Sequence, residues 1–159
     1  MEQQRDVWLI RSGKQGEYEL RFLQEEIIGL SITIGDQYSK PDDIKELCRS
    51  IKTIYSENER SLIASKVFTF TNRIRVGDYI LMPSKKTGKI CYVGVITSDY
   101  NYNPYSDISF TRSVQWRGSI EKSKFDQKTR NSMGSLLSIF HVNITEESLE
   151  MLTTYISEI

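Results

Sequence analysis

The sequence predicts a single α+β domain over residues 1–159, with a sheet that curls into a barrel. Short apolar runs that end at glycine or proline predict strands. Between residues 44 and 55, apolar residues recur at the spacing of one helix face, which predicts an amphipathic helix. From residue 76 onward, apolar runs separated by turn-forming residues predict further strands.

The first third of the chain alternates strands and a helix. The apolar run Val7–Ile10 ends at the Ser12-Gly13 turn and predicts a buried strand. A short helix is predicted from about Glu17 to Gln24. The run from Ile27 to Ile34 is rich in β-branched residues and predicts a second strand, which closes at Gly35.

Two helices are predicted next. Ser39, Pro41 and Asp42 are typical of a helix start, because proline suits the first turn and acidic groups favour the positive end of the helix dipole. The apolar repeat behind them continues to Tyr55. A further helix is predicted over residues 59–72.

The second half of the chain is richer in strands, and three are predicted at residues 79–82, 90–97 and 110–120. Thr145-Glu146-Glu147 is a capped helix start, so a C-terminal helix is predicted at about 145–157. The core of the predicted domain covers about residues 7–142.

Composition is that of a globular protein without a membrane segment. Charged residues make up 26% of the chain, and no run approaches the roughly 20 apolar residues that span a bilayer. The first six residues are polar, so no secretory signal is expected. Two cysteines without an export signal are expected to be free and reduced, which predicts a cytoplasmic protein.

Charge is unevenly distributed along the chain although the net charge is zero. Residues 1–60 carry 9 basic and 12 acidic side chains, residues 61–141 carry 12 and 5, and residues 142–159 carry four Glu and no base. This pattern favours one basic face able to meet phosphates. Ordinary surface charge sorted by chance is the alternative.

The segment from Arg112 to Phe140 is the most informative about function. Its first part alternates polar and apolar residues around Val114 and Trp116, which predicts a half-buried strand. A small loop rich in hydrogen-bond donors is predicted at residues 131–135. A tryptophan strand followed by such a loop favours recognition of a flat polar ring.

Five pieces in a fixed order carry a resemblance to a known family: V-W-L-I-R-S-G at 7–13, R-V-G-D-Y-I-L-M-P at 75–83, Y-V-G-V-I-T-S-D-Y-N-Y-N-P at 92–104, R-S-V-Q-W-R-G-S-I at 112–120 and R-N-S-M-G-S-L-L-S-I-F at 130–140. Their order resembles the EVE-like branch of the PUA superfamily. More closely, it is similar to the N-terminal sensor domain that precedes Mrr-type nuclease domains in modification-dependent restriction proteins. The resemblance covers about residues 7–142.

The resemblance implies a PUA-like, strongly bent mixed sheet, or pseudo-barrel, with peripheral helices. It also implies a pocket between strands that accepts a modified base, typically cytosine, flipped out of duplex DNA. The expected role is that of a sensor in a restriction system for phage defence. Cleavage is expected in a separate or fused Mrr-type nuclease, so the expected partners are modified double-stranded DNA and that nuclease.

The predicted base pocket is formed by Arg11, Ser12, Ser31, Ala64, Ser65, Trp116, Asn131, Ser132, Gly134 and Ser135. The predicted phosphate contacts are Lys85, Lys86, Lys89, Arg117 and Arg130. Alternatives remain open: a plain turn at Ser12, packing beneath the pocket for Trp116, a helix cap at 130–135 and a solvated loop at 85–89. If the base-pocket and phosphate assignments hold, Asn131→Ala should weaken the preference for a modified base. Lys85→Ala with Lys86→Ala should then weaken binding to all sequences.

Two positions depart from the pattern of the family. Leu62-Ile63 stand where relatives tend to carry an amide side chain, and Gly29–Ile32 lacks the aromatic residue that usually walls the cage. Tyr100 and Tyr102 are candidates to replace that wall, and packing at the barrel rim explains them equally well.

Catalysis is not expected. His141 is the single histidine, and no phosphate-binding glycine-rich loop is present. Asp107 with Asp126-x-Lys128 matches nuclease spacing but lacks the apolar strand that such sites occupy. No cofactor or metal is expected. The alternative function is an RNA-binding or nucleotide-sensing PUA-like domain without DNA specificity.

Overall fold

The computed structural model describes residues 5–36 and 38–157. Within them a strongly curled mixed sheet forms a half-barrel flanked by helices, which confirms the α+β class at this level. The first four of the six polar residues that predict the absence of a secretory signal lie outside the described residues. None of the described helices is long and apolar enough to cross a membrane.

The sheet has seven strands in the described residues: β1 Val7–Ile10, β2 Ile27–Leu30, β3 Tyr79–Pro83, β4 Ile90–Ile96, β5 Asn101–Tyr102, β6 Phe110–Glu121 and β7 Ile139–His141. Their order is β2-β6-β4-β3-β1-β7, and β5 also pairs with β6. β1 and β3 are parallel, whereas the other pairs are antiparallel. The ends of β1 and β3 therefore meet at the same edge.

Five α-helices are formed by the described residues: α1 Glu19–Glu25, α2 Ile44–Ser50, α3 Glu57–Phe68, α4 Gln127–Met133 and α5 Glu146–Ser157. A π-helical turn, Thr69–Arg73, extends α3. The buried guanidinium of Arg112 stabilises this turn, because it donates to the carbonyl oxygens of Phe70 and Ile74, each at 2.9 Å.

Both faces of the sheet are buried. Trp8 and Ile10 point into a core with Phe22 of α1 and Val67 of α3. The alternate residues of β1, such as Leu9, pack into a second core that includes residues of α4 and α5. Because successive side chains of a strand point to opposite faces, a run that is apolar at every position fits this arrangement.

The second strand is shorter than predicted and ends at Leu30 instead of Ile34. Beyond it, the hydroxyl of Ser109 accepts a hydrogen bond from the Ile32 amide at 3.2 Å and donates to the Ile32 carbonyl oxygen. A side chain thus replaces the ladder bonds of a neighbouring strand, and Ile32 and Ile34 stay buried without strand pairing.

The predicted loop at 131–135 is wrong at its first three positions. Asn131, Ser132 and Met133 lie in α4, which begins because the Asp126 carboxylate accepts a hydrogen bond from the Thr129 amide at 2.9 Å. Helix α2 also ends earlier than predicted, at Ser50, and the chain then turns towards Tyr55.

Candidate functional site

A cavity of about 640 Å³ opens at the end of β1. Its walls come from the turn after β1, the end of β2, one face of α3, the start of the β3–β4 hairpin and residues 136–138 before β7. Ligand pockets commonly measure roughly 300–1,000 Å³. The cavity therefore has room for a small planar ligand.

The turn after β1 is held in a compact shape by two glycines. Gly13 and Gly16 have positive φ angles of 94° and 73°, a region that most other residues avoid. The Tyr18 amide donates to the Ser12 carbonyl oxygen at 2.9 Å, which closes the turn. A Cβ atom at Gly16 would lie 2.6 Å from the Cβ of Lys85, so the turn packs directly against the hairpin.

A buried carboxylate fixes the hairpin beside this turn. Glu19, the first residue of α1, accepts a hydrogen bond from the Lys85 amide at 2.7 Å and another from the Ser84 hydroxyl at 3.1 Å. Both oxygen atoms of the carboxylate therefore accept hydrogen bonds within the protein. This contact sets the main chain of Lys85 at the cavity, with its side chain exposed.

Arg11 connects the end of β1 to residues 135–138, which form another wall of the cavity. Its amide donates to the Ser138 carbonyl oxygen at 2.8 Å, and its guanidinium donates to the carbonyl oxygens of Leu137 at 3.2 Å and Ser135 at 2.5 Å. Three hydrogen bonds from one residue thus hold the segment between α4 and β7. The guanidinium predicted to face a ligand shapes the cavity wall.

The cavity has a strongly basic lining. Arg11, Lys14, Lys66 and Lys85 contribute to it, and Glu17 is its one acidic residue among those that the structure describes. Burial and the neighbouring charge of Lys14 lower the pKa of the Lys66 ammonium. Such crowding of like charges favours binding of an anion.

A second, smaller cavity adjoins the first through Arg11. It measures about 250 Å³, and Lys122 and Arg130 add two further cations to it. Acidic side chains collect elsewhere: Glu121, Glu147 and Glu150 line a separate groove against α5. The basic middle of the sequence therefore contributes to one basic region, together with Arg11 and Lys14 from the acidic first third.

Three of the predicted site residues line the main cavity, namely Arg11, Ser31 and Lys85. The Ser31 hydroxyl donates to the Asp107 carbonyl oxygen at 2.6 Å. Ser12 lies in the turn but is 1% exposed, and its Oγ has no hydrogen-bond partner in the described residues. Ala64 is fully buried in the core, and Ser65 is not among the lining residues.

The remaining base-pocket candidates lie apart from the main cavity. The indole of Trp116 donates from Nε1 to the Phe22 carbonyl oxygen at 3.0 Å and packs against Gly94, so the ring joins β6 to α1 and β4. The Asn131 side chain accepts from Gln127 within α4, and the Ser132 hydroxyl accepts from the Asn143 amide. Of the other two, Gly134 lines the smaller cavity and Ser135 is a partner of Arg11.

The predicted phosphate contacts are divided between several places. Lys86 and Lys89 are exposed on the hairpin, whereas Lys85 alone of the three lines the main cavity. Arg130 lines the smaller cavity, and Arg117 donates to Gln115 on β6 at 3.0 Å. The three hairpin lysines therefore do not line one cavity together.

Sequence reasoning missed Lys14, Tyr18 and Lys66. Tyr18 is the one aromatic residue in the main cavity within the described part of the chain, and its ring stacks on Phe22 with centroids 5.9 Å apart. Leu62 and Lys66 both line it from adjacent turns of α3, a spacing of four residues that places side chains on one helix face. This spacing is visible in the sequence, so the sequence alone could have placed Leu62 and Lys66 on one helix face.

The other candidate groups are engaged elsewhere. Tyr100 and Tyr102 pack with Tyr38 and Phe110 in an aromatic cluster, as expected of rim packing. Asp107 pairs with Arg21 at 2.7 Å, while Asp126 caps α4. No group of three His, Cys, Asp or Glu side chains within residues 5–36 and 38–157 is placed to hold a metal ion.

The cysteines lie in different cores. Cys48 packs against the core that contains Trp8, and Cys91 is buried in the core that contains Leu9. Both are free thiols. Burial raises the pKa of the Cys91 thiol to about 11, so this group stays protonated and unreactive at neutral pH.

A protein-family model described as Domain of unknown function (DUF8426) matches residues 8–143. The match includes every residue that lines the two basic cavities. No curated protein matches the sequence.

Proposed function

The chain belongs to the DUF8426 family, and we propose that it is a PUA-like reader of modified DNA. In this proposal a modified base, cytosine in the first instance, leaves the duplex and enters the 640 Å³ cavity. The surrounding lysines bind the phosphates that flank the extruded nucleotide. The cytoplasmic chain detects the base, and a separate or fused nuclease cleaves the DNA.

One observation carries this proposal: an open cavity is lined by cations from several elements. Lys14, Lys66 and Lys85 reach it from three different elements. A base pocket needs this combination, because the base requires a concave site and its two neighbouring phosphates require positive charge at the mouth.

The free energy needed to extrude a base is similar in size to what stacking and phosphate contacts can return. Extruding a base from a duplex costs a few kcal/mol, and stacking of a base on an aromatic side chain returns roughly 1–3 kcal/mol. Tyr18 is the group positioned to stack, and Leu30 and Ile32 add apolar surface. The lysines then supply the remaining affinity through contacts that weaken as salt increases.

Fluorescence anisotropy with matched oligonucleotides tests the proposal. Four duplexes differ at one central position, which holds cytosine, 5-methylcytosine, 5-hydroxymethylcytosine or N6-methyladenine in its proper pair. We expect tighter binding to at least one modified duplex than to the unmodified one, with a clear salt dependence. Equal affinity for all four contradicts the proposal, and stronger binding to RNA of the same sequence favours an RNA-binding domain instead.

A matched pair of variants locates the binding site in the same assay. Lys66→Ala removes a cation from the cavity, and Lys89→Ala removes one from the exposed hairpin nearby. The affinity for the duplexes should weaken more in Lys66→Ala, because Lys66, unlike Lys89, lines the cavity. Equal effects of the two changes place the base outside this cavity.

A further inference from the structure

One leucine at the rim of the cavity projects almost entirely into solvent. Leu136 is 95% exposed and lies between the end of α4 and the start of β7. A single exposed leucine is common on protein surfaces. This one belongs to a group, because Leu62 and Leu137, each 47% exposed, line the same cavity.

The main chain on both sides of Leu136 is fixed. The Arg11 guanidinium binds the carbonyl oxygens of Ser135 and Leu137, the residues immediately before and after it. The Ser135 hydroxyl also accepts a hydrogen bond from the Leu137 amide at 3.3 Å. Leu136 is therefore an apolar side chain on a braced support, so little further ordering is needed when it binds.

The surroundings of this side chain are basic. Lys14, Lys66 and Lys85 line the same cavity, and Arg130 lies in the adjoining one. An apolar projection among cations suits a site where phosphates surround a stacked, apolar interior. The interior of a DNA duplex has this character, and apolar side chains are known to enter it between base steps.

We propose that Leu136 is a wedge that enters the duplex and fills the space left by the extruded base. This inference rests on the proposed function, since it requires a base in the cavity. The wedge stacks against the base pairs on either side of the gap and slows the return of the extruded base. Leu137 and Leu62 stay at the rim and cover the edge of the gap.

Two variants of Leu136 and one control test the wedge. Leu136→Ala removes the apolar tip, and Leu136→Phe keeps a large apolar group there. Leu20→Ala is the control, because Leu20 is an exposed leucine of α1 that is not among the residues lining the cavity. Thermal denaturation of all three shows whether the fold is intact, and the exposed positions make large changes in Tm unexpected.

The probes are a duplex with one 5-methylcytosine paired to guanine, the same duplex with cytosine, and the single strand with 5-methylcytosine. We expect Leu136→Ala to bind the methylated duplex about tenfold more weakly, because the apolar surface that leucine buries and alanine lacks is worth about that factor. Its affinity for the single strand should equal that of the wild type, because a single strand has no gap to fill. Leu136→Phe and Leu20→Ala should bind all three probes like the wild type.

The outcomes separate the wedge from the proposed function. If Leu136→Ala binds the methylated duplex as tightly as the wild type does, the wedge is wrong while the reader function stands. An equal loss on duplex and single strand also overturns the wedge, because it indicates direct contact with the methylated strand. A wild type that distinguishes none of the modified duplexes of the anisotropy assay from the unmodified one contradicts the proposed function and the wedge together.

Discussion

The Arg11 guanidinium and the carbonyl oxygen of Leu137 are joined by a hydrogen bond of 3.2 Å between Nε and O, although 126 positions separate them in the chain. This contact joins the end of the first strand to the segment that precedes the last strand. With the bond to Ser135, it gives the main cavity its far wall. The shape of the candidate site therefore depends on a long-range contact of one side chain.

The first prediction concerns that contact. Arg11→Lys keeps the positive charge but removes the planar fork that reaches two carbonyl oxygens. We expect a loss of about 1.5–3 kcal/mol in the free energy of unfolding, the usual size for a hydrogen bond to a charged group. Denaturant unfolding measures it, with Arg117→Lys as the control, because that guanidinium makes one exposed contact to Gln115. A stability equal to the wild type would show that the wall is held by other contacts.

The second prediction concerns which lysines meet phosphate. Lys14→Ala, Lys66→Ala and Lys85→Ala should each lower affinity for every duplex and reduce the slope of log affinity against log salt by about 1. Lys86→Ala should change the slope much less, because Lys86 is not among the cavity residues. This differs from the expectation, based on sequence, that Lys85 and Lys86 act together. Identical slopes for Lys85→Ala and Lys86→Ala contradict the assignment.

The third prediction is a pH dependence of binding. Burial and the charge of Lys14 lower the pKa of Lys66 in the free protein from its ordinary value of 10.5. A bound phosphate stabilises the ammonium and raises that pKa, so binding takes up a proton and weakens as the pH rises through the lowered pKa. Lys66→Arg stays protonated, so its affinity should fall less over the alkaline range. Parallel pH profiles of the two proteins exclude contact between Lys66 and phosphate.

The fourth prediction concerns stability in acid. The Asp126 carboxylate accepts hydrogen bonds from the Thr145 hydroxyl and the Thr129 amide, which lower its pKa from 3.8 to about 2. A lowered pKa in the folded state means a contribution to stability that is complete above about pH 4 and is lost as the pH falls towards 2. Asp126→Ala should therefore have a lower Tm than the wild type near neutral pH.

The difference in Tm should shrink as both proteins are acidified towards pH 2. Thr145→Val provides a comparison, because it removes the hydroxyl that donates to Asp126 and leaves the carboxylate in place. That hydroxyl also accepts a hydrogen bond from the Ser148 amide at the start of α5, so only part of its Tm difference should disappear on acidification. A Tm difference for Asp126→Ala that is constant with pH shows that the carboxylate acts only through packing.

Most elements were predictable because their signals are local. The strands Tyr79–Pro83, Ile90–Ile96 and Phe110–Glu121 follow from apolar runs bounded by turn residues. One error arose where a distant side chain decides the structure, because Ser109 replaces the ladder bonds at Ile32. The other was a missed local signal: Asp126 caps the start of helix α4, which runs to Met133.

The candidate site was less predictable. Arg11, Ser31 and Lys85 were identified, but Lys14, Tyr18 and Lys66 were not. These groups lie on separate elements, and only the packing of the hairpin against Gly16 and of the segment 135–138 against Arg11 brings them together. For Trp116, the sequence pattern favours a base contact and a packing role equally. Its indole Nε1 donates to the Phe22 carbonyl oxygen within the protein, which supports the packing role.

The decisive measurement is a crystal structure of residues 1–159 bound to a duplex that contains one 5-methylcytosine. We expect the methylated base to lie outside the helix, in the cavity bounded by Arg11, Tyr18 and Lys85, with flanking phosphates near Lys14 and Lys66. A methylated base that stays stacked in the duplex, or DNA bound on another face while this cavity stays empty, contradicts it.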